Sequence, residues 1–216
     1  GSFRAWGFQR GGTGAVSMAI ARSAQHFGTD IMTEAPVEKV IVNNGKAVGV
    51  ALENGDEYTS EIVISGLDPK LTFLKMLDES DLPSDFVTDI KNFRIRGSSG
   101  KVNLALDGLP DFTCLPGEGR HLRGAIIISP SYDYLERAYD DAKYGNFSQE
   151  PYLDIILPSV LDPDMAPPGK HVMSCFVQYV PYNIKGGWDD QKREAFVDAV
   201  INALARFSSN INDIIF

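Results

Sequence analysis

Small and apolar side chains recur at helical spacing near the start of the chain. The run GGTGAVSMAIARSAQHFG holds Ala15 and Met18, which suit close packing against a sheet or a ligand. Thr13 is able to cap this helix, and Gly28 is the expected left-handed stop. The pattern therefore predicts a helix that opens after Gly12 and ends at Gly28.

Three β-rich runs follow, and two Asn-Gly pairs separate them. Asn44-Gly45 and Asn54-Gly55 supply the positive φ angles of tight hairpin turns, the strongest short hairpin signal in a sequence. The pattern predicts a three-strand β-meander. One short strand is expected before the meander, and a return strand is expected between it and the turn at Pro69.

The second part of the chain alternates between amphipathic stretches and strand-like runs. Helices are predicted over residues 71–77, 86–93 and 131–144 and from Asp189 or Asp190 onward, and strands over residues 101–106, 123–129, 152–158 and 170–179. The last helix carries Phe196, Val200, Leu204 and Phe207 as its apolar stripe. Because strands outnumber helices beyond residue 94, we expect a mixed or antiparallel sheet with helices on one face.

Composition limits the classes of function. The chain has 216 residues, of which 44% are hydrophobic and 23% charged, so a sizeable core is possible. A net charge of −9 argues against nucleic-acid binding, which needs a basic face. Cys114 and Cys175 lie far apart without C-x-x-C spacing, which favours a reducing compartment, and we expect the cytoplasm. The three histidines lack metal-ligand spacing, and no apolar run is long enough to span a bilayer.

The glycine-rich opening of the first helix is also compatible with phosphate binding. Free backbone amides and the helix dipole both attract an anion at such a position. However, Gly11, Gly12 and Gly14 do not form G-x-G-x-x-G, and no Gly-Lys-Ser/Thr follows. A tight turn before a packed helix is therefore favoured over a phosphate site, and both hypotheses stay open.

A few other side chains are able to carry chemistry. Arg94 and Arg96 are able to orient an anion, and His171 is a candidate general base. In each case a solvated or structural role is the simpler interpretation. Tyr182 and Trp188 either line an apolar channel or pack the sheet. The aromatic segment FRAWGF at residues 3–8 is interpreted as an anchor for the terminal segment.

An ordered set of short motifs resembles the middle of a phytoene-desaturase-like flavoprotein. RGGTGA, APVEKV, GKAVGV and VISGLDP occur in the order and at the spacing seen in that group, which belongs to the amine oxidase and FAD-dependent oxidoreductase superfamily. The similarity is closest to the subgroup labelled pyridine-nucleotide-disulfide-oxidoreductase-domain-containing proteins. It extends through RGSSGKVNLALDGLPDF and DPDMAPPGKHVMSCFVQYVPY, and so spans nearly the whole chain.

The resemblance implies an α+β fold with two lobes that have different roles. Residues 1–69 would form part of an FAD-binding lobe, made of a helix and the meander. Residues 70–216 would form a substrate-binding lobe that is truncated at its C-terminal side.

The resemblance also implies four cofactor contacts. Gly11, Gly12 and Thr13 would lie at the helix that faces the flavin, and the backbone of Val37 would meet the FAD adenine. No catalytic base is assigned.

Two parts of a complete FAD site do not occur in these residues. Relatives open with a strand and G-x-G-x-x-G for the pyrophosphate, with an acidic residue about 20 residues further on for the ribose. They close with another glycine-rich segment that completes the flavin site. We therefore expect an internal portion of a longer enzyme that is inactive by itself and does not retain FAD.

The function implied by the resemblance is flavin-mediated hydride removal from, or saturation of, an apolar small-molecule substrate. Desaturase, oxidase and isomerase chemistry all stay open. The competing hypothesis is a non-enzymatic binding module that presents an apolar groove to a lipid or a protein, and a third is a scaffold derived from a degenerate flavoprotein. Self-association is expected, because a partial lobe exposes apolar surface.

Overall fold

The computed structural model describes residues 7–216. Most of the predicted aromatic segment at residues 3–8 therefore lies outside the described residues. Packing divides the chain into two units, one formed by Ala24–Ile95 and the other by Arg96–Phe216 together with the residues up to Ser23.

The secondary structure is as follows. The helices of the described residues are α1 (Gly12–His26), α2 (Pro69–Lys75), α3 (Ser84–Asn92), α4 (Tyr132–Lys143), α5 (Pro158–Leu161), α6 (Asp190–Ala205) and α7 (Ile211–Ile214). The strands are β1 (Val37–Asn43), β2 (Lys46–Leu52), β3 (Glu57–Thr59), β4 (Ser99–Leu106), β5 (Ile126–Ile128), β6 (Tyr152–Ile156) and β7 (His171–Gln178). The α+β fold class predicted from the sequence is confirmed.

The first sheet is the predicted meander, with strand order β1-β2-β3 and antiparallel pairing. Asn44 and Gly45 have φ angles of 50° and 73°, as a tight hairpin turn requires. At Gly49 a Cβ atom would lie 2.2 Å from the Tyr58 carbonyl oxygen, so β3 approaches β2 too closely for any side chain. Local turn chemistry and one glycine therefore account for this sheet.

The strands predicted on either side of the meander are wrong for the described residues. No strand is present between residues 27 and 36 or between residues 60 and 68. A strand needs a neighbour that accepts and donates its backbone hydrogen bonds, and none pairs with these segments. Ile62 and Ile64 are accordingly 73% and 89% exposed.

The unit that contains the meander continues through α2 and α3, beyond the predicted division at residue 69. Asp68 caps α2 by accepting hydrogen bonds from the Lys70 and Leu71 amides. Phe73 of α2 stacks edge-on against Phe86 of α3, with ring centroids 4.9 Å apart. The Val40 amide donates to the Met76 carbonyl at 2.8 Å, which joins β1 to the end of α2. These contacts are why residues 70–95 group with the meander.

The second sheet has the order β4-β7-β6-β5 and is antiparallel throughout, which is one of the two arrangements, mixed or antiparallel, that the sequence predicted. Along β4 every second residue is buried, and α6 adds three residues of the predicted stripe, Phe196, Val200 and Leu204, to the same core, whereas Phe207 lies beyond the end of the helix. The core residues from these elements are Val102, Leu104, Leu106, Leu153, Ile155, Met173, Cys175, Val177, Phe196, Val200 and Leu204. One face of the sheet is thus closed by helices.

Both cysteines are free, and their environments differ. Cys175 on β7 is fully buried, and burial raises the pKa of its thiol to about 12. Cys114 lies in an exposed loop. Among residues 7–216, no helix has the length and apolar character needed to cross a bilayer.

Candidate functional site

The predicted cofactor helix opens on a two-glycine turn. Gly11 and Gly12 have φ angles of 78° and 71°, which favour glycine. The Gly12 amide donates to the Gln9 carbonyl at 3.0 Å and closes the turn. Because α1 begins at Gly12, Thr13 lies inside the first turn and not at the N-cap, so the predicted capping role of Thr13 is wrong.

Two carboxylates hold this turn in place. The Gly11 amide donates to Asp162 Oδ2 at 2.6 Å, and Arg10 Nη2 donates to Asp164 Oδ2 at 2.6 Å. The hydrogen bond with Asp164, together with its negative charge, raises the pKa of Arg10. Asp162 is itself buried, and a cavity of about 380 Å³ lies between this loop and residues 8–10. A carboxylate of the chain therefore takes the amide that a phosphate would use.

The side chains of α1 pack against few other described residues. None of its residues is buried, and Val16, Met18 and Ile20 are 43%, 54% and 65% exposed. The close packing predicted for Met18 is thus absent among the described residues. The helix instead presents an apolar surface next to a glycine turn.

Val37, the fourth predicted contact, lies in the other unit. It is the first residue of β1, pairs with Leu52 of β2 and is half-buried. In the described sheet β1 is an edge strand, so one side of its backbone is not paired with another strand. Its role at the FAD adenine stays a prediction.

The outer face of the second sheet is a further candidate surface. The strand register places Lys101, Phe176, Asp154 and Ile127 side by side across the four strands. Phe176 and Ile127 are 43% and 57% exposed, unlike the residues of the closed face. We call this row, with its neighbours on the same face, the open face.

Polar side chains also lie on this side of the sheet, and one of them, Ser174, is buried. Ser174 Oγ donates to Asn103 Oδ1 at 2.8 Å across β7 and β4. Burial, and next the charge of Asp154, raise the pKa of Tyr152. The face thus combines exposed apolar groups with a few fixed polar groups, as ligand-binding surfaces do.

Sequence reasoning missed the open face and the Asp162–Asp164 pair as site components. The weak signal for the open face was the apolar residue Phe176 in the run HVMSCFVQ. Its register with the polar residues Lys101 and Asp154 is visible only in the structure. The signal for the Asp162–Asp164 pair was two acids that flank Pro163, between the strands predicted at residues 152–158 and 170–179. Neither signal indicates a partner in space.

The other candidate side chains have structural or solvated positions. Ser159 Oγ accepts a hydrogen bond from the Val172 amide at 3.1 Å and forms a second hydrogen bond with His171 Nδ1 at 3.2 Å. Ser159 is buried, which suits a joint between α5 and β7. Arg94 and Arg96 are exposed. No cluster of His, Cys, Asp and Glu suited to a metal ion occurs in the part of the chain that the structure describes.

Comparison with known proteins identifies the family. The family described as flavin containing amine oxidoreductase matches residues 1–214. The chain is 38% identical over 217 residues to pyridine nucleotide-disulfide oxidoreductase domain-containing protein 2 of Mus musculus, a match that covers 96% of this chain and 37% of that protein. It is 31% identical over 202 residues to prolycopene isomerase 2, chloroplastic, of an Oncidium hybrid cultivar, which covers 91% of this chain and 31% of that protein.

A solved structure shows the same fold. A crystal structure of an oxidoreductase from Methanosarcina mazei matches with a TM-score of 0.58 and 19% sequence identity, over 88% of this chain and 37% of that one. The chain thus spans little more than a third of the length of the mouse relative. The resemblance drawn from the ordered motifs is confirmed, and the chain belongs to the flavin containing amine oxidoreductase family.

Proposed function

We propose that the whole protein is an FAD-dependent oxidoreductase of the dehydrogenase or desaturase type that acts on an apolar small molecule. The observation that carries this proposal is the family match over residues 1–214. When bound, FAD accepts hydride from the substrate, so the protein has to supply binding, orientation and exclusion of water.

The start of α1 is proposed to meet an uncharged or electron-rich part of the flavin. Asp162 and Asp164 place two carboxylates beside the turn, and these disfavour the pyrophosphate there. Gly11 and Gly12 carry no side chain, so a planar ring is able to approach the backbone closely. The positive end of the helix dipole and the Thr13 hydroxyl would then stabilise electron density on that ring.

The open face is proposed to contact the substrate. Phe176 on β7 and Ile127 on β5 offer apolar area on either side of Asp154 on β6, and the sheet holds their positions rigidly. Asp154 and Lys101 lie in the same row and orient any polar group of the substrate. We propose an extended apolar molecule as the occupant, because Phe176 and Ile127 would remove part of its apolar surface from water.

The cofactor proposal has a direct test. The whole protein, purified without added cofactor, is expected to show flavin absorbance near about 370 and 450 nm. A colourless protein that also fails to take up FAD would refute the proposal. The 216-residue chain is expected to lack these bands, because it has no G-x-G-x-x-G for the pyrophosphate.

The substrate proposal is tested in the whole protein with prolycopene in detergent micelles as the probe. Phe176→Ala is expected to weaken binding, measured by the quenching of protein fluorescence. Tyr132→Ala is the matched control, since Tyr132 is 92% exposed at the start of α4 and lies outside the open face. Equal binding by the two variants would contradict the assignment of the open face.

A binding module without catalysis is the second candidate. The exposed apolar residues of α1 and the open face favour it, since either surface is able to receive a lipid or a protein. A whole protein that binds prolycopene but no FAD would decide for this candidate.

We also propose a cytoplasmic location for the whole protein. Its support is the free state of Cys114 and Cys175, which suits a reducing compartment. Cell fractionation of the whole protein tests it, and recovery in an organelle fraction would refute it.

A further inference from the structure

The loop that follows α5 packs against the glycine turn at the start of α1. The Gly11 amide donates to Asp162 Oδ2 at 2.6 Å, although the two residues are 151 positions apart in the chain. A Cβ atom on Gly12 would lie 3.4 Å from Met165 Cε, so the same loop contacts the second glycine as well. Both contacts lie within one of the two compact units. The loop therefore covers one side of the turn.

Asp162 is itself fixed to the second sheet. Its amide donates to the Pro158 carbonyl at 2.9 Å, at the end of α5. Ser159 on the same helix is buried, and its Oγ accepts a hydrogen bond from the Val172 amide of β7 at 3.1 Å. This helix lies between β6 and β7, the two central strands of the sheet. The carboxylate of Asp162 thus joins the sheet to the glycine turn.

Burial distinguishes Asp162 from the other charged groups beside the turn. Its exposed fraction is 8%, whereas the side chains of Arg10 and Asp164, which pair with each other, are 83% and 72% exposed. Water and salt screen an exposed pair, but a buried carboxylate acts at a lower effective dielectric constant. Asp162 is therefore the carboxylate whose charge has the larger effect on groups near Gly11.

We propose that Asp162 is a positioning residue for the flavin ring and acts on it through the Gly11 amide. The inference rests on the proposed function, in which Gly11 and Gly12 face that ring. Because Asp162 fixes the turn to the second sheet, it holds the start of α1 in the position that meets the ring. Its negative charge also opposes the gain of electrons by the ring, and so lowers the reduction potential of the bound flavin.

The first experiment measures hydrogen exchange of residues 8–14 in the whole protein by mass spectrometry. Asp162→Ala should speed exchange at the glycine turn, because the Gly11 amide loses its acceptor. Asp162→Asn keeps an acceptor oxygen and should retain most of the protection. Asp164→Asn is the matched control, since Asp164 accepts from the Arg10 side chain and not from the backbone of the turn.

The second experiment measures the reduction potential of the flavin-bound whole protein by spectroelectrochemical titration. Asp162→Asn should change the redox equilibrium by roughly tenfold, the effect of one charge at about 10 Å and an effective dielectric constant of about 20. For a two-electron couple this raises the potential by about 30 mV. Asp164→Asn removes the same charge from an exposed position and should change the equilibrium by about twofold or less. A purely structural role of Asp162 predicts no such difference.

Two results would overturn the inference and leave the proposed function intact. One is unchanged exchange of the glycine turn in Asp162→Ala. The other, with flavin bound in both variants, is an equal change of potential in Asp162→Asn and Asp164→Asn, or no change in either.

A whole protein that binds no flavin would refute the proposed function, and the inference with it. Thermal melting establishes that each variant folds. If Asp162→Ala does not fold, the comparison of Asp162→Asn with Asp164→Asn decides the inference by itself.

Discussion

The two units differ in how many of their apolar side chains are buried. In the sheet unit, Leu153, Met173 and Leu204 are fully buried in one continuous core. In the meander unit the buried apolar residues are few, and Phe27 and Ile64 are 83% and 89% exposed. Both units contain a well-formed antiparallel sheet, so regular secondary structure alone does not explain the difference.

The difference in burial comes from the helices that pack against each sheet. Helix α6 supplies a long apolar stripe that closes one face of the second sheet, whereas the three-stranded meander is joined to α2 and α3 through few contacts. A small sheet needs packing against another layer for independent stability. We therefore expect the meander unit to be the less stable of the two, and the predictions below test that comparison.

The largest effect is expected from the core of the sheet unit. Leu153→Ala removes a fully buried side chain from β6 and should lower the free energy of unfolding by about 2–5 kcal/mol, because it leaves a cavity. Leu67→Ala is the control in the meander unit, where Leu67 is 47% exposed, and should cost about 0.5 kcal/mol or less. Urea denaturation measures both, and similar losses would contradict the comparison.

A glycine in the meander provides the next test. Gly49→Ala should force β3 away from β2, because the new Cβ would lie 2.2 Å from the Tyr58 carbonyl oxygen. Overpacking of this kind costs about 1–3 kcal/mol. Hydrogen exchange should show faster exchange of the β2 and β3 amides, with the second sheet unchanged. Gly66→Ala, where no atom lies within 4 Å of the new Cβ, should leave exchange as it was.

Alkaline pH should act on the sheet unit through Tyr134. Burial, and next the charge of Glu150, raise the pKa of Tyr134 to about 12 from 10.0, and its hydroxyl donates to the Pro151 carbonyl at 2.8 Å. Because the folded pKa is the higher one, this contribution to stability is complete below pH 10 and is lost as the pH rises towards 12.

Tyr134→Phe separates this effect from other titrations, including that of Cys175. At pH 7 the variant should be less stable by about 1 kcal/mol, through loss of one hydrogen bond. The gap between the two proteins should narrow above pH 10, since only the unsubstituted chain loses a proton at this position. Urea midpoints at several pH values measure the gap, and a constant gap would refute the argument.

The smallest effect on stability is expected at the exposed end of the meander unit. Ile62→Glu combined with Ile64→Glu should leave folding nearly unchanged, because both side chains are exposed. The pair should reduce the self-association that exposed apolar surface is expected to cause. Sedimentation measures this, and Tyr132→Glu in the sheet unit is the control. An unsubstituted chain that is monomeric at high concentration would refute the expectation.

Structural features that depend on residues close together in the sequence were predictable. The Asn-Gly pairs mark the two turns of the meander, because Asn44, Gly45 and Gly55 take positive φ angles that few other residue types accept. The apolar stripe of α6 and the alternation along β4 appear in the sequence at their own periods. The glycine turn before α1 was also visible, although Thr13, predicted as the capping residue, lies inside the first turn of the helix.

Features that depend on distant partners were not predictable. The return strand failed because its pattern suits a strand but no described neighbour pairs with it. The grouping of α2 and α3 with the meander depends on the Phe73–Phe86 contact and the Val40–Met76 hydrogen bond, neither of which has a local signal.

The sequence by itself determined the fold class, the meander and the family, and it predicted a second sheet that is mixed or antiparallel, because turn chemistry, periodicity and motif order are properties of short segments. Only the tertiary structure decided that Asp162 takes the Gly11 amide and that Phe176 and Ile127 share an open face. Each of these brings together residues far apart in the chain, and the pairing is set by how the sheets and helices pack.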